Sequence, residues 1–398
     1  MPYMPSKHAA KLAILLVLAV ELTACRSHSG SGAVPVPPGA AAGQTGEAAT
    51  SPAPGGGDRK LTVVRETDAP KSSGIAIDRI HRMEGAAVDA WLSDDVVRIM
   101  TTKLEKPATA TEEPKFSYGY ETVDLTDDTR QPAKLPAPNG GTAALVKETP
   151  SPDGKHVFVQ QWQDKYTARN FVRDTATGSM TEIDADNYLE SGGWLDADTF
   201  VLATGTKEGR GDVLAVKTDG TATKLALDDA ETETFVRLTA SHGRIYYTDQ
   251  LQNLKTLASG ESRPTRLATG VLDFEAAPDG ATIAVSAAIG RDGAGAQLLL
   301  YGADGRTQGA AIGKGDLIPY ISWSADAGKL AFAVYTEDRS GMNGVYLFDA
   351  ASGTVAPVVP NVFPQYPLSW NPSGARLGVT SAGKDDLPVT EIIDFKNP

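Results

Sequence analysis

The sequence predicts an all-β fold: a single β-propeller of about seven four-stranded blades. Two observations carry this reading. A strand, tight turn and strand recur at starts 93, 151, 195, 241, 277, 324 and 371, and a repeat of about 40–50 residues built from strands is the period of a propeller blade. The 398 residues also include 40 Gly and 25 Pro, a density that disrupts helix interiors. Hydrophobic residues still make up 41% of the chain, enough for a core and against wholesale disorder. The net charge of −13 has the wrong sign for a phosphate-backbone binder, so nucleic acid is not expected as a partner.

The N-terminus reads as an address. Lys7 and Lys11 precede the apolar run Leu12 to Val20, which is short for a bilayer span and fits a secretory signal over 1–24. Leu22-Thr23-Ala24-Cys25 resembles a bacterial lipobox. That resemblance implies lipidation of Cys25, the sole cysteine, and attachment to the membrane on the extracytoplasmic side. Two or three acyl chains anchor stably where one does not. Residues 25–59 are dominated by Gly, Pro, Ala, Ser and Thr and cannot bury enough apolar surface to offset chain entropy. They read as a tether of about 30 Å average reach. Its length and composition are similar to those of Gram-positive lipoproteins.

The propeller is expected over 60–398. Its repeat is clearest at Ser151-Pro152-Asp153-Gly154-Lys155, Ala277-Pro278-Asp279-Gly280 and Ser324-Ala325-Asp326-Ala327-Gly328, with a further copy at Asn371-Pro372-Ser373-Gly374. Pro presets the second turn position, while Asp and Gly supply the conformations a tight hairpin needs. The strand Leu330 to Val334 is apolar at every position, as expected where both sheet faces are covered. The Ser-Pro-Asp-Gly-Lys turn followed by an apolar strand resembles the TolB-like, WD40-like β-propellers of bacterial envelopes. Weaker copies begin at Trp91, Trp194 and Ala240, and the long first interval leaves six or eight blades open. Ring closure needs a strand from elsewhere, and the apolar run Leu61 to Arg65 is the expected donor; closure by an N-terminal strand removes an open edge.

Catalytic motifs are scarce. His28, His81, His156 and His242 have no metal-ligand spacing and no cysteine to join them. The chain lacks a Gly-x-Ser-x-Gly elbow. Gly309 to Gly315 lacks the Ser or Thr of a phosphate loop. A calcium loop counted from Asp184 puts Leu189 and Leu195 where Gly and Glu are needed. Arg210-Gly211-Asp212 reads as a hairpin turn. Neither a cofactor nor a metal is expected, and Asp153, Asp279 and Asp326 read as turn residues. Trp91, Trp194, Trp323 and Trp370 recur at the ends of inner strands and read as core; Trp162 breaks that pattern.

The non-repeating polar residues of the inner strands are the candidate binding residues. They are Lys147, Tyr188, Glu190 and Arg237, with Asp273, Glu275, Tyr320 and Tyr366, gathered at the mouth of the central channel. Mixed charges with tyrosines suit a polar ligand or a peptide. The expected function is a monomeric, non-catalytic platform for an envelope protein, peptide or glycan. The alternative is a lyase or hydrolase with a carboxylate-lined, metal-assisted channel, which requires three or four convergent acidic or histidine side chains.

Overall fold

The computed structural model describes residues 75–109, 111–133, 146–162, 168–185, 192–204, 212–229, 237–290, 295–337 and 341–396. They contain 28 strands in seven four-stranded antiparallel sheets and no α-helix. Each sheet is one blade. The inner strands, in chain order, are Ala86–Trp91, Val146–Pro150, Gly192–Trp194, Arg237–Ser241, Val271–Ala276, Leu317–Trp323 and Ser369–Trp370, and they define blades 1 to 7. Six of the seven turn starts read from the sequence fall on the connection between a blade's first and second strands, and the seventh, Ser241, is the last residue of its blade's first strand.

The seventh blade is completed by the N-terminal strand Ile77–Glu84, which pairs antiparallel with Pro388–Phe395. Closure by an N-terminal strand is therefore present, with a different donor from the one expected. Leu61 to Arg65 lies outside the described residues, and Ile77–Glu84 fills the outer place in the blade. A search for an apolar run misses this strand because an outermost strand faces water: along it only His81 and Met83 are buried. Gly85, at φ +67°, then carries the chain directly into blade 1; a Cβ there would meet the Thr102 carbonyl oxygen at 2.9 Å.

Antiparallel blades sort the connections onto two faces. First-to-second and third-to-fourth connections form the turn face. Second-to-third connections and the links between blades form the loop face. On the turn face, the fourth residue of four repeats is left-handed: Gly154, Gly280, Gly374 and, in blade 6, Ala327 at φ +57°. Each donates its N–H to the first turn residue's carbonyl at 2.9–3.0 Å. Blade 4 has a shorter hairpin, with His242 and Gly243 both at positive φ, the geometry of a two-residue primed turn.

The turn carboxylates bond within their own turns. Asp153 and Asp326 accept the hydroxyls of Ser151 and Ser324 at 2.8 and 2.6 Å, and Asp279 accepts the Ala281 N–H at 2.9 Å. The Ser151 hydroxyl is the main reason that Asp153 is held below the usual carboxylate range.

The repeated tryptophans tie neighbouring blades together. Trp91 donates its indole N–H to Ser369 Oγ, Trp194 to Thr149 O, Trp323 to Glu275 O and Trp370 to Ser322 O, at 2.8–3.3 Å. In every case the acceptor is the preceding blade's inner strand, across the ring seam for Trp91. The side chain of Trp162 lies outside the described residues. Between blades, apolar side chains meet face to face; Leu330 to Val334 are fully buried, which accounts for their unbroken apolar run.

Candidate binding site at the channel mouth

Two groups of the expected residues come together. Arg237, first in its inner strand, forms an ion pair with Asp273 of blade 5. Its guanidinium also lies over the Phe274 ring, 5.3 Å from the centroid, a favourable placement for a cation. Glu275, two residues along from Asp273, accepts the Trp323 backbone N–H at 3.4 Å. The trio therefore spans the inner strands of blades 4 and 5 and touches blade 6.

Burial sets the chemistry of this trio. Desolvation pushes the Glu275 carboxyl up to about 7, against the opposing pull of Arg237 and the Trp323 N–H. Burial likewise pushes the Arg237 guanidinium down, and Glu275 draws it back. A carboxyl that titrates near neutrality beside a fixed cation can change its charge, or accept and donate a proton, at working pH.

The second group is aromatic. Tyr320 of blade 6 and Tyr366 of the link to blade 7 are close enough to interact electrostatically, as are Tyr366 and Tyr118 of blade 1. Burial is the main cause that raises the phenols of Tyr320 and Tyr366. Tyr118 escaped the sequence reading because it belongs to the third strand of its blade, Lys115–Asp124. The alternation Phe116, Tyr118, Tyr120 was the available signal, since period two places all three on one sheet face.

Lys147 lies on the inner strand of blade 2, opposite Gln160. Its neighbour Glu148 is held by Arg173 at 2.7 and 2.9 Å. Tyr188, Glu190 and Cys25 lie outside the described residues.

Inner-strand bulges were also missed. The pairing register skips at Asp89 in blade 1, at Leu272 in blade 5 and between Leu317 and Tyr320 in blade 6. A bulge re-aims side chains locally. Here it accompanies Asp89 bonded to Arg98 at 2.5 Å and leaves Leu272 nearly half exposed. A bulge is one residue out of step, which a degenerate repeat conceals.

No family model matches the chain, and no curated protein does. Solved structures do match. An oligogalacturonate lyase in complex with manganese aligns over 81% of this chain and 99% of its own, at 10% identity and a TM-score of 0.50. An oligogalacturonate lyase from Vibrio parahaemolyticus aligns over 80% and 98%, at 9% identity and a TM-score of 0.50. TolB from Acinetobacter baumannii aligns over 75% and 80%, at 14% identity and a TM-score of 0.39. What the two lyases share with this chain is the fold. Fold likeness does not carry function, which lives in the site. Manganese belongs to the first of these lyases; among the described residues of this chain no three His, Cys, Asp or Glu side chains converge to hold a metal.

Proposed function

We propose that this chain is a lipid-anchored, extracytoplasmic propeller that serves as a non-catalytic binding platform for an envelope protein, peptide or glycan. One observation carries the reading. The Arg237–Asp273–Glu275 trio joins charged side chains from the inner strands of blades 4 and 5, and the Tyr320–Tyr366–Tyr118 group adds phenols from blade 6, its link to blade 7 and blade 1. Concave sites with a few convergent polar groups and perturbed titration are where ligands bind. The anchor rests on the lipobox resemblance at Cys25, with the tether over 25–59 and the propeller from residue 60 onward.

Two measurements test the proposal. Cys25→Ala is expected to move the protein from the membrane fraction to the soluble fraction with the propeller still folded; retention in the membrane with unchanged mass rejects the anchor. Envelope partners captured by residues 60–398 are expected to be lost on Glu275→Gln combined with Tyr366→Ala. Capture that is indifferent to both substitutions rejects the channel mouth as the site.

One observation favours the enzyme reading: Glu275 titrates near neutrality beside Arg237. Turnover of oligogalacturonate by the purified chain, with or without added manganese, and its loss in Glu275→Gln would put that reading first.

A further inference from the structure

The loop face of blades 4 to 7 carries an apolar crescent. Leu251, Leu272, Ile289, Leu317, Tyr335 and Phe363 are each 36–60% exposed. All six sit on second-to-third connections, on an inter-blade link, or at strand ends that meet this face.

Their neighbourhoods are joined. The Val271 N–H donates to Gln252 O at 2.9 Å, bringing the Leu251 turn to the start of the strand that bears Leu272. The Ala288 N–H donates to Gly270 O at 2.8 Å, which adds Ile289 to the same corner. Leu317 is the register partner of Tyr335, and the Tyr335 ring meets Phe363 edge-on at 5.3 Å. The two halves meet where the Ile289 N–H donates to Gly295 O and Ala296 pairs with Gly315, two residues before Leu317. Scattered exposed leucines are ordinary; a joined set on one face of a monomer marks an interaction surface.

The charges among these side chains have one prevailing sign. Asp316 precedes Leu317, Glu337 follows Tyr335 by two residues, and Asp385 and Asp386 form the blade 7 connection; all four are exposed. Lys384 and Lys314 are exposed cations among them, against four carboxylates. An apolar surface rimmed by carboxylates disfavours anionic lipid headgroups and complements a cationic chain.

We propose that this crescent docks a polypeptide segment of a partner protein that alternates large apolar side chains with Lys or Arg. The proposal rests on the platform reading and adds a second surface to it. Apolar side chains seat on Leu272, Leu317 and the Tyr335–Phe363 pair, while the flanking cations face Glu337 and Asp385.

The test uses two synthetic peptides, one alternating Leu and Lys and one alternating Leu and Glu, titrated against the whole chain by fluorescence anisotropy. The Leu/Lys peptide is expected to bind, to weaken as salt rises, and to exceed the Leu/Glu peptide at least tenfold. Leu272→Asp with Leu317→Asp is expected to weaken it at least tenfold. These side chains are already wet, so the fold tolerates the change. Leu92→Asp, on the turn face, is the matched control and is expected to leave binding unchanged. Equal binding of the two peptides, failure of both to bind, or equal effects of the loop-face and turn-face variants overturns the proposal. Sedimentation that shows a wild-type dimer lost in the double variant overturns it in favour of a second copy of this chain. Loss of envelope capture in the Glu275 and Tyr366 variants, with the double variant unaffected, would sink the crescent and leave the channel-mouth platform standing.

Discussion

Blades 6 and 4 fill the same place in the ring with different interiors. In blade 6, Leu330 to Val334 are fully buried, Phe332 stacks on Tyr346 at 5.8 Å, and Trp323 bonds to the blade before it. Blade 4 has shorter strands and Ala240 where blade 6 has tryptophan. Its interior includes a buried polar knot. Lys255 reaches Asp229 and Asp249 at 2.9 Å, and the Tyr247 hydroxyl donates to Asp229 at 2.6 Å. Asp249 also accepts Asn253 at 3.0 Å; such bonds hold it below the usual carboxylate range although burial pushes the other way. An apolar interior spreads its stabilisation over many weak contacts. A buried ionic one concentrates it, because removing a single partner strands the others in a poor solvent.

The sharpest way to break this comparison is Lys255→Met. It preserves much of the volume but leaves Asp229 and Asp249 without their cation. It is expected to destabilise by about 3–5 kcal/mol, while Leu330→Met in blade 6 costs under about 1.5 kcal/mol. Denaturant unfolding of both variants checks the contrast. Equal losses would show that the knot is no more vulnerable than the packed blade.

Glu275 extends the comparison to a buried polar group with an incomplete set of partners. Its folded carboxyl titrates at about 7, above the ordinary 4.5. The native state therefore holds a proton that the unfolded chain has released. Stability from this group is full below pH 4.5 and is lost as pH rises through 7. Above pH 8, Glu275→Gln is expected to be more stable than the native chain, by at most about 3 kcal/mol. Melting curves from pH 4 to 9 test this. A pH slope unchanged by the substitution rejects it.

Smaller effects belong to the turns. Asp279→Ala removes one carboxylate-to-backbone bond and is expected to cost about 1 kcal/mol, with a chelator leaving the melting temperature of the native chain unmoved. A drop of many degrees on chelation would mean that a metal, not a turn, uses the carboxylate. Smallest of all, Ala327→Gly is expected to stabilise by about 0.5–1 kcal/mol. A left-handed Cβ costs roughly 1–2 kcal/mol, and the glycine's added chain entropy offsets part of the relief. Thermal unfolding that ranks Ala327→Gly below the native chain would show that the Ala327 methyl, now buried, packs better than its backbone is strained.

Much of this ring was legible in the residues. The recurring turns, with Pro-Asp-Gly in blades 2 and 5 and looser copies in the others, located the first hairpins, and the apolar run through Leu330 revealed strands covered on both sides. The closing strand was not legible, because Ile77–Glu84 alternates charge and exposed isoleucine as an outer strand can. Its attachment is long-range: His81 lies between Asp128 at 2.7 Å and Asp394 at 3.3 Å, and Arg376 holds Asp394 at 2.9 Å. None of those spacings is visible along the chain. At the channel mouth, Arg237, Asp273 and Glu275 were legible as polar intruders in inner strands, but their convergence was not.

By itself, then, the sequence determined the local geometry of this protein: where strands alternate with turns, which strands lie between sheets, and that about seven such units follow one another. Those properties arise from neighbours in the chain, through backbone conformation and side-chain periodicity. Tertiary structure decided which strand closes the ring, which tryptophan bonds to which blade, and which carboxyl loses its water. The first two depend on residues 45 or more positions apart, such as Trp194 with Thr149 and His81 with Asp394, and the third on neighbours from other blades, such as Arg237 beside Glu275. Only the assembled ring sets the distances and the burial that fix their energies.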